Sequence, residues 1–187
     1  MEIVRDALLE KIKSCIKVGR VVLASGKETD FYFDGRTVSL DQEGAILIAE
    51  RVVEELKRRP SLRAIGGPTS GADPIVSSVG VIAKQQDIPL HLFYVRKESK
   101  AYGMQKRIEG PSLPAAAEVI LIDDVLTSGG SLLKAVEAVR EDTEAVPRVA
   151  LVLVDREEGG RERLEEAGLE VIALFRKSDF STLTKTA

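Results

Sequence analysis

The chain has no tryptophan, and its 187 residues include one cysteine, one histidine, three tyrosines and five phenylalanines. A single cysteine, Cys15, excludes an internal disulfide framework and fits a reducing compartment. It reads as a small core residue beside a helical apolar stripe. The one histidine, His91, lies inside the apolar pattern Leu90-His91-Leu92 with no partners suited to a metal or to proton transfer, so it reads as a strand residue. No apolar run approaches the ~18 residues of a membrane span. A basic excess is also missing: 27 basic residues meet 30 acidic ones, for a net charge of −3, whereas general nucleic-acid binders favour basic domains. The first residues, Met-Glu-Ile-Val-Arg-Asp, lack the basic start of a signal peptide. These absences lead to the expectation of a cytoplasmic protein with neither membrane nor nucleic acid as partner. Repeats, low-complexity tracts and linkers are absent too, so the chain reads as one domain. A domain of this size buries roughly 70% of its unfolded surface without disulfides or structural metal.

What is present centres on residues 119–131. Val119-Ile120-Leu121-Ile122 is an uninterrupted apolar, β-branched run, as expected of a strand buried on both faces of a parallel sheet. Asp123 and Asp124 follow where that strand is expected to end. Then come Val125-Leu126-Thr127-Ser128-Gly129-Gly130-Ser131 and a helical pattern carrying Leu132, Val136 and Val139 on one face. Strand, small polar loop and helix N-terminus form an anion-binding geometry: free N–H groups and the helix dipole face the ligand, and glycine allows close approach. The acids repel a phosphate, but they suit sugar hydroxyls or a divalent cation beside it. Acids after a strand also serve as ordinary caps and turns; the order and length of the whole stretch make it specific. The Walker spacing and a strand-linked G-x-G-x-x-G are both absent.

Residues 3–18 read as an amphipathic helix with Val4, Leu8, Ile12 and Ile16 inward. Val21-Val22-Leu23 and Phe31-Tyr32-Phe33 flank a polar turn at 24–30, predicting a hairpin. Residues 41–59 predict a helix capped by Asp41 and ended by Pro60. Strands are then expected at 63–66, 90–95, 118–122, 148–154 and 170–175, with helices at 71–86, 130–141 and 159–168. This alternation implies βαβ units, hence an α/β fold with a central parallel sheet flanked by helices, and ligands at the carboxyl ends of the strands.

Those ends carry chemistry. Gly66-Gly67-Pro68-Thr69-Ser70-Gly71 can form a second anion-accepting nest or an ordinary turn. Residues 96–111 form a long connection without apolar periodicity, as in active-site lids. From Arg96 to Arg107 this connection holds Arg96, Lys97, Lys100, Lys106 and Arg107 against one acid, Glu98. A cationic lid can stabilise charge developing on a leaving group. Arg156, in Asp155-Arg156-Glu157-Glu158-Gly159-Gly160, can clamp a planar carboxylate by paired hydrogen bonds, or form a surface salt bridge with Glu157 or Glu158.

The 119–131 stretch resembles the phosphoribosyl-diphosphate (PRPP) motif of type I phosphoribosyltransferases. With Ile122-Asp123-Asp124-Val125 of that stretch, three further signatures resemble the orotate phosphoribosyltransferase family over roughly residues 20 to 175: Ser25-Gly26-Lys27 with Phe31-Tyr32-Phe33-Asp34, Arg96-Lys97-Glu98 with Lys100, and Asp155-Arg156. The resemblance implies the type I phosphoribosyltransferase fold. Residues 1–40 would form a hood-like helix-hairpin extension over the base site. It implies transfer of the 5-phosphoribosyl group from PRPP to orotate, giving orotidine 5′-monophosphate and pyrophosphate for UMP biosynthesis. Lys100, Asp124 and Asp123 would be catalytic. Arg96, Lys97, Lys100, Tyr102, Asp123, Asp124 and the loop Val125 to Ser131 (Val125, Leu126, Thr127, Ser128, Gly129, Gly130, Ser131) would bind PRPP. Lys27, Phe31, Tyr32, Phe33, Thr127 and Arg156 would meet orotate. Mg2+ would be held mainly by PRPP and water, with Asp123 or Asp124 as protein contacts. The lid 96–110 would be shared across a homodimer.

Three departures stand out. Ala24 replaces a frequent lysine, Ser70-Gly71 a frequent Tyr-Lys, and Tyr102 a frequent histidine. The first two remove cationic contacts, for which Lys27 would compensate, and the third removes a proton donor. Two rivals remain at this stage: a related transferase acting on another base, and a non-catalytic PRPP or nucleotide sensor. The sensor would need a basic face or an added DNA-binding unit, and this chain has neither.

Overall fold

The computed structural model describes residues 2–22, 28–97 and 107–181. A six-stranded sheet runs in the order β5-β4-β3-β6-β7-β8. Its strands are β3 (Leu62–Pro68), β4 (His91–Val95), β5 (Ile108–Glu109), β6 (Glu118–Leu126), β7 (Val146–Asp155) and β8 (Glu170–Arg176). All pairings are parallel except β5 with β4, which is antiparallel. This is the α/β architecture that the alternation predicts. Side chains alternate across β6 as pleating requires. Ile120 and Ile122 join a core with α1 (Glu2–Cys15), α3 (Gln42–Arg58) and α4 (Asp73–Gln85). Val119 and Leu121 face the opposite core, under α5 (Gly130–Asp142) and α6 (Gly160–Glu166). With both faces covered, apolar β-branched runs are what the central strands need. Among the described residues no helix is long and apolar enough to cross a membrane.

The amino-terminal region differs from expectation in one respect. Helix α1 ends at Cys15, not at residue 18, and Ile16 opens β1 (Ile16–Val22), which pairs antiparallel with β2 (Glu28–Phe33). The β-branched stretch Val18–Val22 favours the ladder, and Gly19, at φ 106°, lies where its register shifts. The hairpin is present, but β2 already begins at Glu28, inside the expected turn 24–30; residues 23–27, with Ala24 and Lys27, lie outside the described residues. Cys15 packs partly buried against the core. Asp41 caps α3 by accepting from the Gly44 N–H at 2.8 Å. The same carboxylate pairs with Lys11 of α1 at 2.6 Å, tying the two helices together.

Three short elements escape the sequence pattern: α2 (Arg36–Ser39), β5, and a 3-10 turn at Lys177–Phe180. Strand β5 shortens the long connection, because Arg96 N–H already bonds Arg107 O at 2.9 Å where the chain returns to the sheet. Helices α4 and α6 are also shorter than the expected 71–86 and 159–168. The 3-10 turn buries Phe180, whose ring lies 6.0 Å from Phe31 and 6.1 Å from Phe175. The final described turn thus covers the hairpin's inner face.

Candidate active site

Strands β3, β4, β6 and β7 all point their carboxyl ends at one rim, and the site opens there. A cavity of about 370 Å3 is lined by Tyr32, Phe33 and Asp34 after the hairpin, by Arg36 of α2, by Pro68–Gly71 after β3, and by Lys97 after β4. Asp123, Asp124, Val125, Thr127 and Ser131 complete it. A second cavity of about 290 Å3 shares Asp123, Val125, Thr127 and Ser131 and continues along Ser128–Gly130 to Leu132 and Lys134.

The phosphate-loop geometry follows from two glycines. Gly129, the residue before α5, has φ 76°, a left-handed conformation that costs glycine little. Gly160, opening α6, lies directly beneath: a Cβ there would collide with the Thr127 carbonyl oxygen and would come within 2.9 Å of Gly129 N. From α6, Arg163 Nη1 donates to the Ser128 carbonyl at 2.6 Å. The loop is therefore held from below, while the N–H groups opening α5 face the second cavity, the arrangement that favours an anion.

The acids stand differently from expectation. Strand β6 does not end at Ile122 but continues through both of them to Leu126, with Asp123 opposite Val152 of β7. The partner strand reaches Asp155, so pairing extends β6 past its apolar run. Placing the pair inside a sheet buries it: Asp123 is 9% exposed. Burial, followed by the charge of Asp124, pushes the Asp123 carboxyl up to about 8. Burial likewise raises Asp124 above the usual carboxylate range. The Asp124 N–H donates to Asp123 Oδ1 at 3.0 Å. Gly71 leaves these oxygens open, since a Cβ there would meet Asp123 Oδ1 at 2.5 Å and Asp124 Oδ1 at 2.7 Å. Two buried carboxylates above their ordinary pKa favour a neighbouring cation or hydroxyl donors. Among the described residues no three His, Cys, Asp or Glu side chains converge as a closed metal cage. The oxygen-only donors therefore fit a hard cation that keeps other ligands of its own.

Asp34, named only within a signature, and Arg36 and Asp73 receive no role from the sequence. Asp34 is gripped by Arg36 through Nε and Nη2, both at 3.0 Å, which holds its carboxyl below the usual range. Asp34-Gly35 reads locally as a turn; nothing nearby marks that it folds over Asp124. Asp73, at the start of α4, is raised by burial, and its Oδ1 has no hydrogen-bond partner among the described residues.

Other expected residues are placed elsewhere. Phe31 is fully buried against Phe180, facing the core rather than the base cavity, because alternation puts Tyr32 on the opposite face. Phe33 shares Phe31's core cluster yet still reaches the cavity wall. Arg107 leaves the cationic lid altogether: Asp142 and Glu141 at the end of α5 hold it at 3.0 and 2.6 Å. Arg96 pairs with Glu109 at 3.0 Å, while Lys97 lines the cavity. Lys100, Tyr102 and Lys106 lie outside the described residues. The Arg156 N–H bonds the Leu126 carbonyl at 2.9 Å, beside Thr127. Its side chain is buried between Thr29 (2.9 Å) and Glu158 (2.7 Å) rather than in the cavity wall.

Comparison with known proteins places this geometry in a family. Residues 43–168 match the family model described as "Phosphoribosyl transferase domain". The orotate phosphoribosyltransferase of Rhodopseudomonas palustris (strain BisB5) is 42% identical over 166 residues, covering 87% of both chains. That of Streptomyces avermitilis is 43% identical, covering 88% of this chain and 90% of the relative. A crystal structure of the Mycobacterium tuberculosis orotate phosphoribosyltransferase in complex with PRPP superposes with a TM-score of 0.77 at 31% identity, covering 95% of this chain and 99% of that one. With the two cavities, the paired acids and the braced phosphate loop, these likenesses establish that the chain belongs to the orotate phosphoribosyltransferase family of type I phosphoribosyltransferases.

Proposed function

We propose that this chain transfers the 5-phosphoribosyl group from PRPP to orotate, releasing pyrophosphate and forming orotidine 5′-monophosphate for pyrimidine synthesis. The observation that carries this reading is the meeting of a braced phosphate loop (Thr127–Ser131) and two buried acids in two adjoining cavities that share Asp123, Val125, Thr127 and Ser131.

The roles combine cavity position with the family resemblance, on which those of Lys27, Lys100, Tyr102 and Arg156 rest. The loop and the N-terminus of α5 take the 5′-phosphate. Asp123 and Asp124 take the ribose hydroxyls and stabilise positive charge as the glycosidic bond to pyrophosphate breaks. Pro68–Gly71 and Lys97 face the pyrophosphate, joined by Arg96, Lys100 and Tyr102 from the lid. Tyr32, Phe33, Thr127, Lys27 and Arg156 orient orotate so that its ring nitrogen attacks C1. The transition state resembles an oxocarbenium ion, as in other glycosyl transfers. The protein then supplies orientation, electrostatics and exclusion of water rather than a covalent nucleophile. Asp123 or Asp124 would hold a Mg2+ ion together with PRPP and water, and the ion would supply charge neutralisation at the departing pyrophosphate. Residues 1–40 act as a hood over the base side of one domain. The enzyme works as a cytoplasmic homodimer in which the lid 96–110 reaches the neighbouring site.

The test is the loss of orotate absorbance on adding PRPP and Mg2+, with wild type and Arg156→Ala side by side. The expected result is loss with wild type and near-abolition in the variant. Equal loss in both would remove Arg156 from the base site. No loss in either would end the orotate reading and send the search to hypoxanthine, adenine and uracil.

A further inference from the structure

Arg156 carries its own anion. Its side chain is 9% exposed, and Nη2 lies 2.7 Å from Glu158 Oε1 and 2.9 Å from Thr29 Oγ1. Its Nε is buried without a hydrogen-bond partner among the described residues. Glu158 itself is 37% exposed. The preceding residue is fixed: Glu157 sits at φ 57°, and its carboxylate accepts from Ser178 N–H at 2.9 Å and Ser178 Oγ at 3.1 Å. The loop is therefore pinned at Glu157, while the next carboxylate stands at the solvent edge on a rotatable stem.

Leaving a buried guanidinium without an anion is strongly unfavourable, so Arg156 needs a carboxylate before substrate arrives. Glu158 supplies one through Nη2 and leaves Nε without a partner among the described residues. A ligand carboxylate that also engages Nε would form the bidentate geometry guanidinium favours.

We propose that Glu158 is an intramolecular competitor for the substrate's carboxylate. It neutralises Arg156 between turnovers, yields to the carboxylate of the incoming base, and returns as the nucleotide product leaves. The proposal rests on the orotate reading of the site. It predicts weaker binding of every carboxylate-bearing ligand than Arg156 alone would give, because part of each binding free energy goes into displacing Glu158.

The experiment is calorimetric titration of orotidine 5′-monophosphate, and of UMP, which lacks the carboxylate, into wild type, Glu158→Gln, Glu162→Gln and Arg156→Ala. Glu158→Gln keeps the shape and removes the charge. It should tighten orotidine 5′-monophosphate by about 3–10-fold while UMP shifts less than about twofold. Glu162→Gln, which removes one negative charge nearby on α6, should shift both ligands by less than about twofold through screened electrostatics. Unchanged or weaker orotidine 5′-monophosphate binding in Glu158→Gln, with Arg156→Ala still weakening that nucleotide selectively, would overturn the competitor role and leave the orotate reading intact. An Arg156→Ala variant that weakens neither nucleotide, or both equally, would overturn the reading itself.

Discussion

Asp123→Asn should make the protein more stable and nearly inactive. Asp123 sits inside β6, where burial and the neighbouring Asp124 raise its pKa from 3.8 to about 8. A carboxyl whose folded pKa exceeds its unfolded value binds more protons in the folded state, so stability is greatest below pH ~4 and falls as pH climbs towards 8. Each unit of pH in that window is worth about 1.4 kcal/mol. At pH 7 the opposition to folding therefore reaches up to about 4 kcal/mol, part of it shared with Asp124. Asparagine keeps the volume and the acceptor that Asp124 N–H uses. A gain of about 2–3 kcal/mol at pH 7.5 corresponds to a rise in Tm of roughly 5–10 °C for a chain this long. The assay is thermal unfolding of both proteins by circular dichroism from pH 4 to 8, without divalent cations or PRPP. The gap should close towards pH 4. A variant no more stable than wild type at pH 7.5, or a gap of the same size at pH 4, would refute the reasoning.

Gly160→Ala should push the phosphate loop upward, because its Cβ collides with Thr127 O and comes within 2.7 Å of Leu126 Cδ1; the expected result in steady-state kinetics is a KM for PRPP raised about tenfold, with about 1–3 kcal/mol of stability lost to the overpacking. Phe180→Ala removes a fully buried ring from the hairpin's inner face and should cost about 3–5 kcal/mol in chemical denaturation, with KM for orotate rising more than KM for PRPP. Lys100→Ala should lower kcat by about a hundredfold or more, as loss of leaving-group stabilisation does, while orotate binding weakens less. An unchanged kcat would remove Lys100 from the chemistry.

The fold was legible where burial is two-sided. Parallel strands covered on both faces read as unbroken apolar runs, and Val119–Ile122 and Val149–Val154 do so plainly. Polar residues inside a sheet were not legible: Asp123 and Asp124 look like a strand's end, and only the length of β7 keeps them in the ladder. The α1 boundary failed because Ile16 fits a helical stripe as well as a strand, and the choice is made by pairing with Phe33. Charges were the least readable. Arg107 counted as a lid cation until Glu141 and Asp142 arrived from the far end of α5. The family resemblance assigns Phe31 to the base pocket, whereas side-chain alternation and the remote Phe180 turn it inward. The phosphate loop was legible because its chemistry is local: strand, small residues and helix start are consecutive.

The packing of Phe180 against Phe31 joins two segments far apart in the chain. On the ribosome the hairpin emerges well before residue 180, so this side of Phe31 stays uncovered until translation has passed that residue, even where α1 and α3 already pack on the rest of the hairpin. The hairpin is thus made early and sealed late. A pause in translation near residue 175 would hold that side of Phe31 open beside a largely formed sheet, a sticky surface of the kind chaperones recognise.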